Sequence, residues 1–233
     1  MKLRLLPTLV VGGFLLGTAV LPAGATSSRT PYAQMQAIIA AANAESSVRV
    51  TTTATMSGMR IVQVTDAGRT SGRLSITLSQ GGKSNTILAE LVAGALYVKG
   101  DADILTTYLA LSQANANELA GQWFGIPKSS GYYAQIAEGL TISTGLAEVT
   151  MTMPVKSGPT ATVAGVKVDV LKGKSVKSAV APSFAETMYY STGKRPLPVE
   201  VTQSVQGSIG KLLFSNWDEK VDVVAPKVKL HLN

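Results

Sequence analysis

The stretch Val48-Arg49-Val50-Thr51-Thr52-Thr53-Ala54-Thr55-Met56 decides how this chain is read. Drawn as an extended segment, it places Val48, Val50, Thr52, Ala54 and Met56 on one face and Arg49 with three threonines on the other. The same period returns in Leu74, Ile76 and Leu78, and in Val149, Met151, Met153 and Val155. Successive side chains of a strand point to opposite faces, so the alternation predicts half-buried antiparallel strands with one apolar face each. Something must cover that face.

Working outward, five strand-like runs lie between Val48 and Val98, separated by Ser57-Gly58, Asp66-Ala67-Gly68, Gly81-Gly82 and Ala93-Gly94. Such punctuation predicts a meander of hairpins. Upstream, Thr30 suits a helix N-cap and Pro31 the first helical position, where its missing N–H is no loss. Met35, Ile38, Ile39 and Ala42 then share one helical face, which carries the helix to about Ala44. After Gly100 the period turns helical. Ile104, Leu105, Tyr108 and Leu109 align behind Asp101 and Asp103, Ser112 caps a second helix ending near Ala120, and a third with Tyr133, Ile136, Ala137 and Leu140 follows Ser129 or Ser130. Strands are expected again at about 146–155, 160–171, 186–192, 197–204, 210–215 and 220–225, with Thr192-Gly193-Lys194 as a hairpin turn.

The chemistry available is sparse. The chain has no Cys and one His, His231, so thiol nucleophiles, imidazole bases and nitrogen or sulfur metal ligands are nearly absent. Gly82-Lys83-Ser84 and Gly173-Lys174-Ser175 resemble the end of a phosphate loop, but Thr77 and Val168 stand where its first glycine belongs. The carboxylates Asp101, Asp103, Glu118 and Glu138 are read as helix caps and solvated groups rather than an acid–base pair, and Trp123 and Trp217 as core packing rather than sugar platforms. No catalytic residue, metal site or cofactor is assigned. A large apolar surface with little catalytic equipment is the composition of a binding protein.

Lys2 and Arg4 precede an apolar run from Leu5 to Leu21, and Ala23-Gly24-Ala25 supplies small residues for signal peptidase. Residues 1–25 are therefore expected to be an export signal and 26–233 a single domain. Ala25 follows Leu21-Pro22-Ala23-Gly24 where a lipoprotein would carry its lipidated Cys, so the product is expected to be secreted or held in the cell-envelope space without a lipid anchor. Removing Lys2 and Arg4 from the 21 basic residues leaves 19 against 14 acidic. The basic residues are spread out, densest from Lys167 through Lys172 and Lys174 to Lys177, and are not interleaved with stacking aromatics, which argues against nucleic acid.

Four motifs carry a resemblance: Leu96-Tyr97-Val98-Lys99-Gly100-Asp101; Gly121-Gln122-Trp123-Phe124-Gly125-Ile126-Pro127; Tyr189-Tyr190-Ser191-Thr192-Gly193-Lys194-Arg195-Pro196-Leu197-Pro198-Val199-Glu200; and Phe214-Ser215-Asn216-Trp217 with Ala225-Pro226. In order and spacing the chain resembles the LppX/LprA/LprF/LprG group of actinobacterial envelope lipoproteins, related in fold to the carriers LolA and LolB. The resemblance implies an α+β fold: an antiparallel sheet of about ten or eleven strands curled into a half barrel, with helices over its concave side and an apolar cavity for acyl chains. The residues expected to line that cavity are Leu74, Ile76, Leu78, Leu96, Val98, Val149, Met151 and Met153, taken at alternate positions of strands flanking the helical cover. The partners this implies are a lipid or glycolipid and, transiently, a membrane surface. An envelope-stress sensor using a similar domain to bind a protein partner is the alternative. Peptide mass spectrometry of the exported product is expected to find an unacylated N-terminus at Thr26; a membrane-bound product retaining residues 1–25 would contradict the reading of the leader.

Overall fold

The first helix, α1, runs Pro31–Ala44 in a computed structural model that describes residues 29–176, 183–205, 208–228 and 230–231. The proposed leader and Lys177 lie outside the described residues. The Thr30 side chain accepts the Ala33 N–H at 3.3 Å, and Met35, Ile38 and Ala42 are buried, as the spacing predicts. The helix contains no charged residue, so its hold is apolar packing plus ties at its C-terminal end. There Arg69 donates to the Ala44 carbonyl at 2.5 Å, and the buried Glu45 carboxylate is paired with Arg195.

Five strands follow: β1 Ser47–Met56, β2 Met59–Gly68, β3 Gly72–Gln80, β4 Lys83–Val92 and β5 Ala95–Gly100. Each pairs antiparallel with the next. Helices α2 Ala102–Tyr108 and α3 Gln113–Leu119 come next, then a three-residue strand β6, Phe124–Ile126, then α4 Gly131–Ala137, a 3₁₀ turn Glu138–Leu140, and α5 Ile142–Ala147. The second strand block is β7 Met151–Val163, β8 Val166–Ser175, β9 Ala185–Ser191, β10 Pro198–Val205 and β11 Ser208–Ser215, with the two-residue β12, Leu230–His231, at the end.

Together they make one twelve-stranded sheet in the order β12-β6-β5-β4-β3-β2-β1-β11-β10-β9-β8-β7. The central join is β1 against β11, where Val50 faces Phe214 and Thr52 faces Leu212. All pairings are antiparallel except the short β12–β6 contact. The end strands β12 and β7 do not pair with each other, so the sheet stays open.

Both core clusters lie on the same sheet face. The pairings Val48–Ala67, Ala67–Gly72, Gly72–Leu91 and Leu91–Leu96 step across one row, and its members belong to both clusters. Under α1 and α5 the cluster joins Met35, Ile38, Ile142 and Leu146 to Met188, Val201, Leu212 and Phe214. Under α2 and α3 it joins Ile104, Leu105 and Leu119 to Ile87, Ala89, Leu96 and Val98. The helices cover one face because alternating strands cannot bury it alone.

Several boundaries differ from the sequence expectations, each for a physical reason. Residues 142–147 are helical, and the strand expected from 146 starts at Met151. The strands expected at 146–155 and 160–171 are rearranged into a longer β7 and β8 around the turn Ala164-Gly165, both at positive φ. Ala164-Gly165 is the same kind of turn as Ala93-Gly94, and it interrupts what was expected as one strand over 160–171. Residues 220–225 carry no strand, and Asp101 occupies the N-cap of α2 with no capping bond from its side chain. Its carboxylate accepts the Thr86 N–H of β4 at 2.7 Å instead, tying helix to sheet.

One contact fixes the cover to the sheet. A Cβ on Gly72 would fall 2.1 Å from the Leu140 carbonyl oxygen and 2.9 Å from that of Asp66, so the 3₁₀ turn rests directly on β3 backbone. Gly72→Ala is expected to lower stability by roughly 1–3 kcal/mol or more in urea unfolding. Gly131→Ala, with no atom within 4 Å of the added carbon, should change little.

Candidate functional site

The helix-bearing face of the sheet grades from closed to half-open along the strands. At one end Val48, Ala67, Leu91 and Leu96 are buried. Two residues further along, Val50, Thr65, Leu74, Ala89 and Val98 form the next row, followed by Leu212, Thr52, Gln63, Ile76 and Ile87. The last full row, Gly210, Ala54, Ile61, Leu78 and Asn85, is only half-buried. Toward the hairpin tips, then, the apolar face emerges from under its cover.

The cover here is the segment from the 3₁₀ turn to the end of α5. Between it and β1, β2 and β11 lies a cleft of about 40 Å³, lined by Val50, Thr52, Gln63 and Phe214 on the sheet side and Gly139, Ile142, Gly145 and Leu146 above. Ligand pockets for drug-sized molecules run to roughly 300–1,000 Å³. The cleft as it stands holds about one water, and an acyl chain requires the cover to rise. Gly139 and Gly145 line the cleft with no atom near their missing Cβ positions, while Leu140, Ile142 and Leu146 of the same segment are buried. Thr141 is bridged to Gly68, and the Tyr133 hydroxyl donates to the Gly94 carbonyl at 2.7 Å, giving the cover two fixed points on the sheet.

The eight residues singled out by sequence separate into three groups. Leu74, Ile76 and Leu78 are half-buried on the helix-bearing face and, like Tyr132, Tyr133 and Ile136, pack against the cluster under α2 and α3. Leu96 and Val98 share that face but are fully buried beneath α2 and α3. Val149 and Met151 are fully buried in the other cluster. Val149 lies in the turn after α5 rather than on a strand, its N–H donating to the Leu146 carbonyl at 3.2 Å. Met151 donates its N–H to the Met35 sulfur at 3.2 Å and packs against Gly173. Met153 is the correction: it is 72% exposed. The β7–β8 register shifts between Thr152 and Lys156, where Pro154 cannot donate to the ladder, and the alternation expected through 149, 151, 153 and 155 is broken there.

The residue that sequence reasoning missed is Glu186. It is 2% exposed on the same face as Met188 and Tyr190, opposite Gln203 of β10 and Gly173 of β8. The Gln203 amide donates to Glu186 Oε2 at 3.5 Å and to the Glu148 main-chain carbonyl at 3.4 Å, while Glu186 Oε1 has no hydrogen-bond partner among the described residues. Burial pushes the Glu186 carboxyl up to about 8, with the Gln203 bond pulling weakly the other way. Its alternation with Met188 and Tyr190 was the available signal.

On the opposite face the polar groups are paired. Asp66 accepts from Arg49 at 2.6 and 3.0 Å and from Arg73 at 2.6 Å, and the Arg49 bonds chiefly hold its carboxyl below the usual range. Lys172 and Lys174 on this face are exposed, as is Lys167 at the start of β8. Among the described residues no helix is long and apolar enough to cross a membrane.

Neither a protein-family model nor a curated protein matches the sequence. Solved structures do match. The Mycobacterium tuberculosis lipoprotein LppX aligns over 83% of this chain and 98% of its own, with a TM-score of 0.51 and 14% identity. LprF from Mycobacterium bovis aligns over 84% and 96%, with a TM-score of 0.56 and 10% identity. The chain has the LppX/LprF-type fold. Its open antiparallel sheet with helices on one face is accordingly the LolA-like curved sheet that the sequence motifs imply, and the helix-bearing side is the concave one.

The buried acid gives a pH test. Between the ordinary glutamate value of 4.5 and about 8, the folded chain holds a proton at Glu186 that the unfolded chain has released, so stability falls as pH rises through that window. The fall is about 1.4 kcal/mol per pH unit at most and ends outside the window. Urea unfolding at pH 4.5 and pH 8 should show Glu186→Gln gaining stability on the wild type only at the higher pH; parallel losses in both proteins would contradict it.

Proposed function

We propose that this chain is an exported, non-enzymatic lipid-binding or lipid-transfer protein that holds the acyl chains of a lipid or glycolipid against the concave face of its sheet. The observation that carries the reading is the half-open apolar strip Val50, Leu74, Ile76, Leu78 and Ile61 beside the cleft under the cover. Removing that surface from water by laying a chain on it is worth about 25 cal/mol per Å², so a long acyl chain supplies enough area for firm binding. The likeness to LppX and LprF supports the fold on which such a face is built.

Loading needs access to a membrane, and the open end is suited to it. The segments 51–65, 74–89 and 208–215, which run to that end, contain Arg60, Lys83 and Lys211, the last paired with Glu200 at 2.9 Å. Met56 and Met59 flank the β1–β2 tip, and Ile209, 67% exposed, stands on β11. A basic rim with apolar tips favours transient contact with an anionic bilayer.

Lining by Leu74, Ile76 and Leu78 makes a solid-core reading and a binding reading separable. Ile76→Trp fills the half-open strip and should leave the unfolding midpoint nearly unchanged while cutting uptake of a fluorescent fatty acid at least about tenfold. Met151→Trp, in a fully packed site, should instead strain the fold by roughly 1–3 kcal/mol. Wild-type-like uptake by Ile76→Trp, or no uptake by the wild type, would overturn the carrier reading and favour a sensor that binds a protein partner.

A further inference from the structure

Polar side chains interrupt the apolar strip at one place, and that place lines the cleft. Thr52 of β1 and Gln63 of β2 stand opposite each other, with Thr65 next along β2, and all three line the cleft of about 40 Å³ beneath the cover. Leu212, Val50, Ala54, Ile61 and Ile76 surround Thr52 and Gln63 on the same face, so the polar block lies inside the strip and not at its rim. Gln63 donates an amide N–H to the Thr65 hydroxyl at 3.3 Å, and Thr65 is buried. The Gln63 carbonyl oxygen and the Thr52 hydroxyl make no hydrogen bond among the described residues. Hydrogen-bonding groups set among aliphatic side chains cost free energy unless something meets them. A water's share of liquid volume is about 30 Å³, so the cleft, too small for an acyl chain, admits a single carbonyl or hydroxyl group.

We infer that Thr52 and Gln63, with Thr65 fixing the Gln63 amide, seat the uncharged polar end of a bound lipid, the ester carbonyl and free hydroxyls of an acylglycerol or glycolipid. Its chain then lies over Ile76 and Leu78 toward the hairpin tips. The inference deepens the lipid-binding reading and rests on it. An amide offers a donor and an acceptor at once, and a hydroxyl serves as either, which matches the carbonyl and hydroxyl groups of a glyceride.

The same lining disfavours charge. It contains no Lys or Arg and one acid, Glu148, so a fatty-acid carboxylate or a phosphate would enter with no cation to compensate it. The basic residues of the open end do not supply one. Arg60 pairs with Thr55 and Lys211 with Thr53, which alternate with Thr52 and Ala54 and so stand on the other face of the sheet.

The test is displacement of pyrene-labelled decanoic acid from the full exported chain at pH 8 by monooleoylglycerol or by oleate, which carry the same chain. The wild type should release the probe at an about tenfold lower concentration of the glyceride. Gln63→Leu and Thr52→Val remove hydrogen-bonding groups, and each should bring the ratio of the two concentrations to about threefold or less. Plain partitioning onto an apolar face would favour the glyceride at least as much in these variants, so they separate the seat from hydrophobicity alone. Thr52→Val exchanges one hydroxyl for a methyl group and reads the seat even where Gln63→Leu does not fold. Equal displacement by the two compounds in the wild type, or an undiminished ratio in Thr52→Val, overturns the seat and leaves the carrier reading intact. A wild type that takes up no probe overturns both.

Discussion

Burial of the concave face is the constraint on which this structure depends. Twelve strands present a largely apolar surface, and among the described residues no second sheet meets it, so α1, α2, α3 and the segment from Glu138 to Ala147 do so. They divide the work unequally. Under α1 and under α2–α3 the packing is complete, with Ile38, Leu105, Val98 and Val201 fully buried. Between and beyond those helices the face is only half covered. In the proposed reading that incomplete burial is what a bound acyl chain completes.

The cover is held to the sheet at several points. Leu140 sits against the bare backbone of Gly72, Thr141 bridges to Gly68, and Tyr133 of the preceding helix holds the β4–β5 turn, while Gly139 and Gly145 face the cleft. Glu186 adds a tension beneath the same region, because Gln203 must serve both its carboxyl and the Glu148 carbonyl with long bonds of 3.5 and 3.4 Å.

Much of this was legible in the residues. Thr30-Pro31 and the spacing of Met35, Ile38 and Ala42 fix α1. Gly-containing turns mark three of the four connections of the β1–β5 meander because those turns need positive φ at Gly58, Gly82 and Gly94, whereas the turn expected at Asp66-Ala67-Gly68 falls at 69–71, those three expected residues belonging to β2. Ser112 caps α3 as its type suggests. The failures have local causes. β6 is three residues long and owes its strand form to its neighbour β5 rather than to any pattern of its own. Thr150 to Val155 alternate convincingly, yet Pro154 and the bulge override the alternation and turn Met153 outward. Of the site, the strip Leu74, Ile76 and Leu78 could be read from period two alone. Which parts of one face are sealed and which are open depends on where helices land, and that is a tertiary property no strand pattern contains.

The central claim is that the concave face takes up acyl chains by displacing its cover, and native mass spectrometry of the exported chain tests it most directly. The account predicts a population heavier than the polypeptide by the mass of one lipid, released as that lipid on collisional activation and absent after delipidation, with added lipid restoring it. A chain that always appears at its bare polypeptide mass, in envelope extract and after exposure to lipid alike, would contradict it.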